Sequence, residues 1–159
     1  MREIKLLSDE EVRRVLQILE ERFGAKTDKL AKNYLFFKDK KGKIWICTQE
    51  IGKIELKRLK IQKIGLYFGF FESKRKLRLS IEGTQLIGNL ATKNVVELTR
   101  EEMELWMRGL DLEKELPKGS EVSEGPVILK CGDDFLGSGV YREGRIMNMI
   151  PKERRIKRL

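Results

Sequence analysis

Residues 126–150 read PVILKCGDDFLGSGVYREGRIMNMI, and the reading of this stretch decides the fold of the second half of the chain. Pro126 to Cys131 and Phe135 to Tyr141 are apolar runs with strand character, and Gly132-Asp133-Asp134 between them is a tight-turn triplet. Arg142-Glu143-Gly144 makes a second turn and Arg145 to Ile150 a third strand, which Pro151 ends. Short strands spaced by glycine-containing turns predict a small barrel rather than a strand–helix–strand unit. Gly132, Gly137, Gly139 and Gly144 are expected to serve as barrel-turn residues, through positive φ at turns and through the missing side chain where backbones pack closely. Asp133 and Asp134 read as turn formers rather than catalytic acids. Gly137-Ser138-Gly139 lacks the third glycine and the following helix of a dinucleotide-binding turn.

Upstream, residues 117–125 (PKGSEVSEG) form a loop rich in breakers. Thr99, answered three positions on by Glu102, is a capping box, and Met103, Trp106, Met107 and Leu110 make the apolar face of the helix it opens. Val95 to Leu98 reads as a short strand. The polar break at Asn89 to Lys93 divides the chain into an N-terminal module, residues 1–91, and a C-terminal module, residues 92–159.

The first module opens with a second capping box, Ser8 with Glu11, followed by Val12, Val15, Leu16, Leu19 and Phe23 on one helical stripe and by Gly24 at the C′ position. Tyr34 to Phe37 and Ile44 to Cys47 read as a hairpin around Asp39 to Gly42, and a helical turn is expected near Thr48 to Ile54. The apolar run from Ile64 to Phe71 predicts a strand buried on both faces, and Leu77, Leu79 and Ile81 alternate with Arg78 and Ser80 as a half-buried neighbour. At least half of Tyr67, Phe68, Phe70 and Phe71 must be core, since exposing four aromatics on alternate faces is costly. Trp106 is expected in the core, while Trp45 is open to either face. Gly83 to Asn89 is a short helix or loop, and the basic run Lys53 to Lys63 is explained by core packing better than by membrane contact.

The chain carries 34 Lys plus Arg against 25 acidic residues, a formal charge of +9, which favours polyanionic partners and nucleic acid first. Its 37% charged fraction resembles the ion-pair-rich surfaces of thermophile proteins. The absence of histidine excludes His general bases, Ser-His and Cys-His nucleophiles and His-containing metal sites, and two cysteines do not make a four-thiolate zinc site. Cys47 and Cys131 are expected as free thiols in strands. No run is long and apolar enough to span a bilayer, and the first residues lack the apolar segment of a secretory signal, so the expected location is cytoplasmic, with no membrane partner.

Residues 132–140 (GDDFLGSGV) closely resemble the late hairpin of PUA domains, and residues 141–155 (YREGRIMNMIPKERR) are similar to the PUA-like tail domain of the Sun/nucleolar-protein family of RNA cytosine-C5 methyltransferases. In the first half, the capped helix, the hairpin, the apolar strand with Gly65 and Gly69 and the basic strand Leu77 to Ile81 resemble the N-terminal domain of the Nip family of large-subunit ribosome-biogenesis factors, which also carry a C-terminal PUA domain. The resemblance implies an α+β protein, a small N-terminal α/β domain followed by a PUA-type β-barrel. It implies an RNA-binding protein that docks structured rRNA or tRNA as a ribosome-biogenesis or RNA-modification accessory, not an enzyme, with no cofactor, catalytic residue or metal. An RNA methyltransferase or another ribosome-assembly protein is the implied protein partner. The rival reading is an adaptor that recruits an RNA-processing partner and whose basic surface is incidental.

The candidate RNA contacts are Arg142, Arg145, Asn148, Lys152, Arg154, Arg155, Lys157 and Arg158, because a cationic tail beside a barrel offers several phosphate contacts and arginine offers bidentate ones. The bland alternative for residues 152–158 is a solvated, frayed tail. Lys74, Arg75, Lys76 and Arg78, at a hairpin tip, form a second candidate patch against the default of an ordinary charged turn.

Overall fold

The capping boxes and glycine stops mark where helices begin and end, and the structure, a computed structural model, places them as expected. It describes residues 4–49 and 65–157. The turn predicted near Thr48 to Ile54 lies largely outside the described residues; the run Lys53 to Lys63 and Arg158 lie wholly outside them. In chain order the elements are β1 (Lys5–Leu6), α1 (Asp9–Phe23), α2 (Asp28–Asn33), β2 (Tyr34–Lys38), β3 (Lys43–Thr48), β4 (Leu66–Ser73), β5 (Lys76–Leu79) and α3 (Ile81–Ile87), which runs into a 3-10 turn at Gly88–Leu90. They continue with β6 (Val95–Glu97), α4 (Arg100–Met107), β7 (Leu112–Glu113), β8 (Gly125–Cys131), β9 (Asp134–Arg142), β10 (Arg145–Asn148) and a 3-10 turn at Lys152–Arg154.

In the first half β1 to β5 form an antiparallel sheet in sequence order. Ser8 and Glu11 close the predicted capping box of α1, Gly24 adopts the left-handed conformation at its end, and Val15, Leu19 and Phe23 turn inward. Burying each such side chain contributes about 1.5–3 kcal/mol. The expectation that the Ile64–Phe71 run is buried on both faces does not hold. Among the described residues of β4 only Phe68 and Gly69 are buried, and Leu66 is 56% exposed. A register shift opposite Ile44 and Trp45 makes Phe68 an extra residue, so strict alternation fails there. Phe68 enters the core, Phe71 packs at its margin, Tyr67 stacks against Trp45 and Phe70 lies under Arg78. Trp45 joins Phe37 and Cys47 in a separate buried cluster.

In the second half β6-β8-β9-β10-β7 form a curled, barrel-like sheet of PUA type, so the molecule is α+β as expected. β6 runs parallel to β8, whereas the other pairings are antiparallel. The chain between β6 and β8 passes through α4 and β7, which carries it to the opposite edge of the sheet. α4 drives Trp106, fully buried, into a core of Val96, Leu98, Leu112, Val127, Leu129, Leu136, Ile146 and Ile150. Leu110 is not on the α4 face as predicted. Gly109, at φ 93, turns the chain after Met107 and leaves Leu110 47% exposed.

The strand buried on both faces is β8, where Val127, Ile128 and Leu129 are all fully buried. Val127 and Leu129 face the second core, whereas Ile128 joins Phe135 in the first, among Leu19, Phe23, Phe68 and Ile87. The two halves therefore share packing. Gly137, at φ 115, sits at a register shift in the β8–β9 pair, and Gly132 and Gly144 also have positive φ. Gly139 acts differently: a Cβ there would lie 2.6 Å from the Trp106 ring.

Candidate nucleic-acid interface

The residues after β10 are folded back onto the sheet. Pro151 leads into the Lys152–Arg154 turn, and the Ile156 N–H donates to the Met107 carbonyl at 2.8 Å, which anchors the segment beside the end of α4. This places Arg108, Lys152, Arg155, Ile156 and Lys157 around one open hollow. Arg155 is half-buried, with its stem over Gly109 and its Nε donating to the Ile150 carbonyl at 3.1 Å. Arg108, Lys152 and Lys157 are exposed and have no ion-pair partner among the described residues.

Arg154 points the other way. Its Nη1 donates to Glu82 Oε1 at 2.7 Å, and both residues line a cleft of about 300 Å³ between β4, β5 and the start of α3 on one side and β9 and the segment after β10 on the other. Arg78 reaches the same cleft, its guanidinium 5.6 Å from the Phe70 ring centroid, 3.4 Å from Glu72 and 3.7 Å from Met149 Sδ. Ser138 Oγ donates to the Leu79 carbonyl at 2.7 Å. Three side-chain contacts thus join the halves around this cleft. Burial holds the Tyr67 phenol above its ordinary value; the Arg78 charge opposes this and Asp39 adds to it. Tyr67 is therefore a neutral hydroxyl at physiological pH.

The predicted contacts do not form one continuous patch. Arg78 and Arg154 come together, whereas Lys74, Arg75 and Lys76 remain exposed at the β4–β5 tip. Arg142 and Arg145 sit at the far end of β10 from the folded tail, and Arg145 is paired with Asp111 at 2.9 Å. Asn148 is engaged within the protein: Nδ2 donates to the Trp106 and Leu110 carbonyls at 2.7 and 3.1 Å, and Oδ1 accepts from the Ile150 N–H at 2.8 Å. Its backbone N–H donates to Asp111 Oδ1 at 2.8 Å, so it helps hold the carboxylate that pairs with Arg145. Sequence reasoning missed Arg108, Glu82 and Met149, whose positions depend on the tail docking against α4 and α3 and carry no local signal. Asp133 and Asp134 are exposed at the β8–β9 turn, and Cys47 and Cys131 are free thiols. Among the described residues no group of three metal-ligating side chains is assembled, and no helix is long and apolar enough to cross a membrane.

A small α/β sheet module joined to a curled sheet with a folded basic tail defines a pre-PUA–PUA protein, a class that indicates an RNA-binding role in ribosome biogenesis or RNA modification. Residues 1–81 match the family described as NIP7/UPF0113, pre-PUA domain, and the chain belongs to that family. Residues 93–156 match the family described as the methyltransferase RsmF PUA domain. Over 64 residues the chain is 34% identical to ribosomal RNA small subunit methyltransferase F of Vibrio parahaemolyticus serotype O3:K6 (strain RIMD 2210633), which is 40% of this chain and 13% of that relative. The matches fall on the pre-PUA and PUA modules, not on a catalytic methyltransferase domain. A crystal structure of a PUA domain from Aeropyrum pernix K1, solved as a tartrate complex, has a TM-score of 0.55 to this chain, with 14% identity, covering 96% of this chain and 87% of that one. At that identity the likeness is one of fold.

Proposed function

We propose that this protein docks structured rRNA or tRNA as a non-catalytic accessory, with residues 1–91 and 92–159 as its two modules and the hollow beside α4 as the main phosphate contact. The observation that carries this reading is that Arg108, Lys152, Arg155 and Lys157 line one hollow to which, among the described residues, no acidic side chain contributes. Phosphate contacts of this kind hold register and orientation without reading bases, which suits the shape-based recognition of helical RNA. Arg158 would extend the contact, Arg142 and Arg145 would add phosphates beyond the far end of β10, and Lys74, Arg75 and Lys76 would meet RNA that reaches the first module. In the sheet that carries this surface Gly132, Gly137 and Gly144 take positive φ, and Gly139 allows the close approach of Trp106.

The test is fluorescence anisotropy with a labelled rRNA or tRNA stem-loop across a salt series. Neutralising about four phosphates requires log K to fall with log salt at a slope of about −3, since each contact releases counterions. Charge reversal at Arg108 together with Lys152 is expected to flatten that slope and weaken binding about tenfold or more. A salt-independent affinity, or one indifferent to both reversals, overturns the proposal. A protein partner such as an RNA methyltransferase or assembly factor has its own specific support in Leu105 and Leu110, 41% and 47% exposed at and just beyond the α4 terminus. A nuclease-resistant stoichiometric complex lost on Leu105→Glu would establish that second reading.

A further inference from the structure

The hollow beside α4 accounts for phosphates, but it leaves the cleft between the two halves without a use. That cleft has a composition unlike a phosphate site. Tyr67, Ile81, Met149 and Pro151 line it together with Arg78, Arg154 and the Glu82 carboxylate that Arg154 contacts. At about 300 Å³ it is at the small end of ligand-binding cavities, enough for one planar group and too small for a folded peptide segment.

We propose that this cleft receives a single unpaired nucleotide of the docked RNA, with guanine favoured over uracil; this rests on the RNA-docking reading above. An unstacked base offers two apolar faces, which Tyr67 and Met149 can contact, and stacking on such surfaces tolerates any base. The choice among bases falls to Glu82. Its Oε1 accepts from Arg154, and Oε2 has no hydrogen-bond partner among the described residues. An ionised carboxylate is an acceptor only, so it pairs with a base edge that presents adjacent N–H donors, as guanine does, and meets a carbonyl of uracil with repulsion. Arg78 and Arg154 stand where the flanking phosphates of an inserted nucleotide would pass. Arg78 is already oriented by Phe70 and Glu72, which lowers the entropy lost on binding. The cleft also adjoins the hollow through the short Lys152–Arg154 turn, so one RNA strand can engage both.

The experiment compares three labelled RNA hairpins of identical stem: fully paired, with one bulged guanosine, and with one bulged uridine. The full-length protein is expected to bind the guanosine bulge about tenfold more tightly than the paired stem, and the uridine bulge less tightly than the guanosine bulge. Met149→Trp, which fills the cleft, is expected to bring the bulged-to-paired ratio near one, and Glu82→Gln, which keeps the shape, to remove the guanosine-over-uridine preference. If Met149→Trp does not fold, the Glu82→Gln preference decides alone. Equal affinity of the wild-type protein for all three hairpins overturns the cleft proposal and leaves the docking surface standing, as does a preference untouched by both substitutions. Failure to bind any of the three overturns both readings.

Discussion

Arg154 Nη1 donates to Glu82 Oε1 at 2.7 Å across 72 residues of sequence, so a residue of the C-terminal basic segment closes onto the first turn of α3 in the other half. The two side chains are 48% and 27% exposed, and an ion pair so wetted contributes at most about 1 kcal/mol. Glu82→Gln is therefore expected to lower the unfolding free energy by less than about 1 kcal/mol in urea titrations. Arg154→Glu is expected to weaken RNA binding about tenfold, or 1.4 kcal/mol, through repulsion of a nearby phosphate.

Trp106 fills the second core, with the backbone of Gly139 against its ring. Gly139→Ala places a methyl 2.6 Å from the ring and is expected to cost about 1–3 kcal/mol by overpacking. Trp106→Ala is expected to cost about 3–5 kcal/mol. Trp106→Phe should cost clearly less, because the Trp106 indole N–H has no hydrogen-bond partner and its loss removes an unsatisfied donor. Thermal unfolding of the three variants gives the order.

Asn94 is buried with φ 58, a left-handed conformation that side chains other than Asn and Asp rarely adopt. Its Nδ2 donates to the Arg22 carbonyl and its Oδ1 accepts from the Ser123 N–H at 2.8 Å, which stitches the end of α1 to the loop before β8. Asn94→Ala is expected to destabilise by about 2–4 kcal/mol, combining backbone strain with two orphaned backbone groups. Asn94→Gly should recover about 1 kcal/mol of that by removing the strain alone, a difference readable in denaturant midpoints.

Glu102 belongs to the α4 capping box and also accepts from Lys114 Nζ at 2.8 Å. Burial pushes its carboxyl up, but the Lys114 and Thr99 hydrogen bonds and the Lys114 charge outweigh that and hold it below its ordinary 4.5. A depressed folded-state value means the unfolded chain binds the proton more readily, so the contribution is complete above about pH 5 and fades as pH falls through the folded value. The melting temperature of Glu102→Gln should therefore fall below that of the parent near neutral pH and converge with it as the pH drops below the folded-state value.

Much of the architecture was legible locally. Ser8 with Glu11 and Thr99 with Glu102 both form capping boxes in the structure, because an N-cap depends on groups within one turn of backbone. The β2–β3 and β8–β9–β10 hairpins follow from turn chemistry at Asp39 to Gly42, Gly132 and Gly144. The failures are also local. β1 and β7 are two residues each, too short for any periodicity, and each exists through its partner strand. Phe68 and Leu136, displaced by register shifts, break the alternation that a strand pattern relies on. Apolar runs 66–71 and 127–129 look alike as composition, yet only the second is covered on both sides, since β8 lies between the two cores.

The candidate site was less legible than the fold. The basic character of residues 152–157 and of Arg78 is written in their side chains, and charge needs no partner to be recognised. Which of those charges face one another was decided by long-range contacts: the Ile156 N–H on Met107 brings Arg108 into the hollow, and Glu82 draws Arg154 into the cleft beside Arg78. Helix caps and turns are set by atoms a few bonds away, so they survive translation from one dimension to three. The hollow is set by the tail docking on the end of α4 within the second half. The cleft, where Arg154 meets Glu82 across 72 positions, is set instead by how the two halves pack, and that information resides in their shared core of Ile128 and Phe135 against Leu19, Phe23 and Phe68.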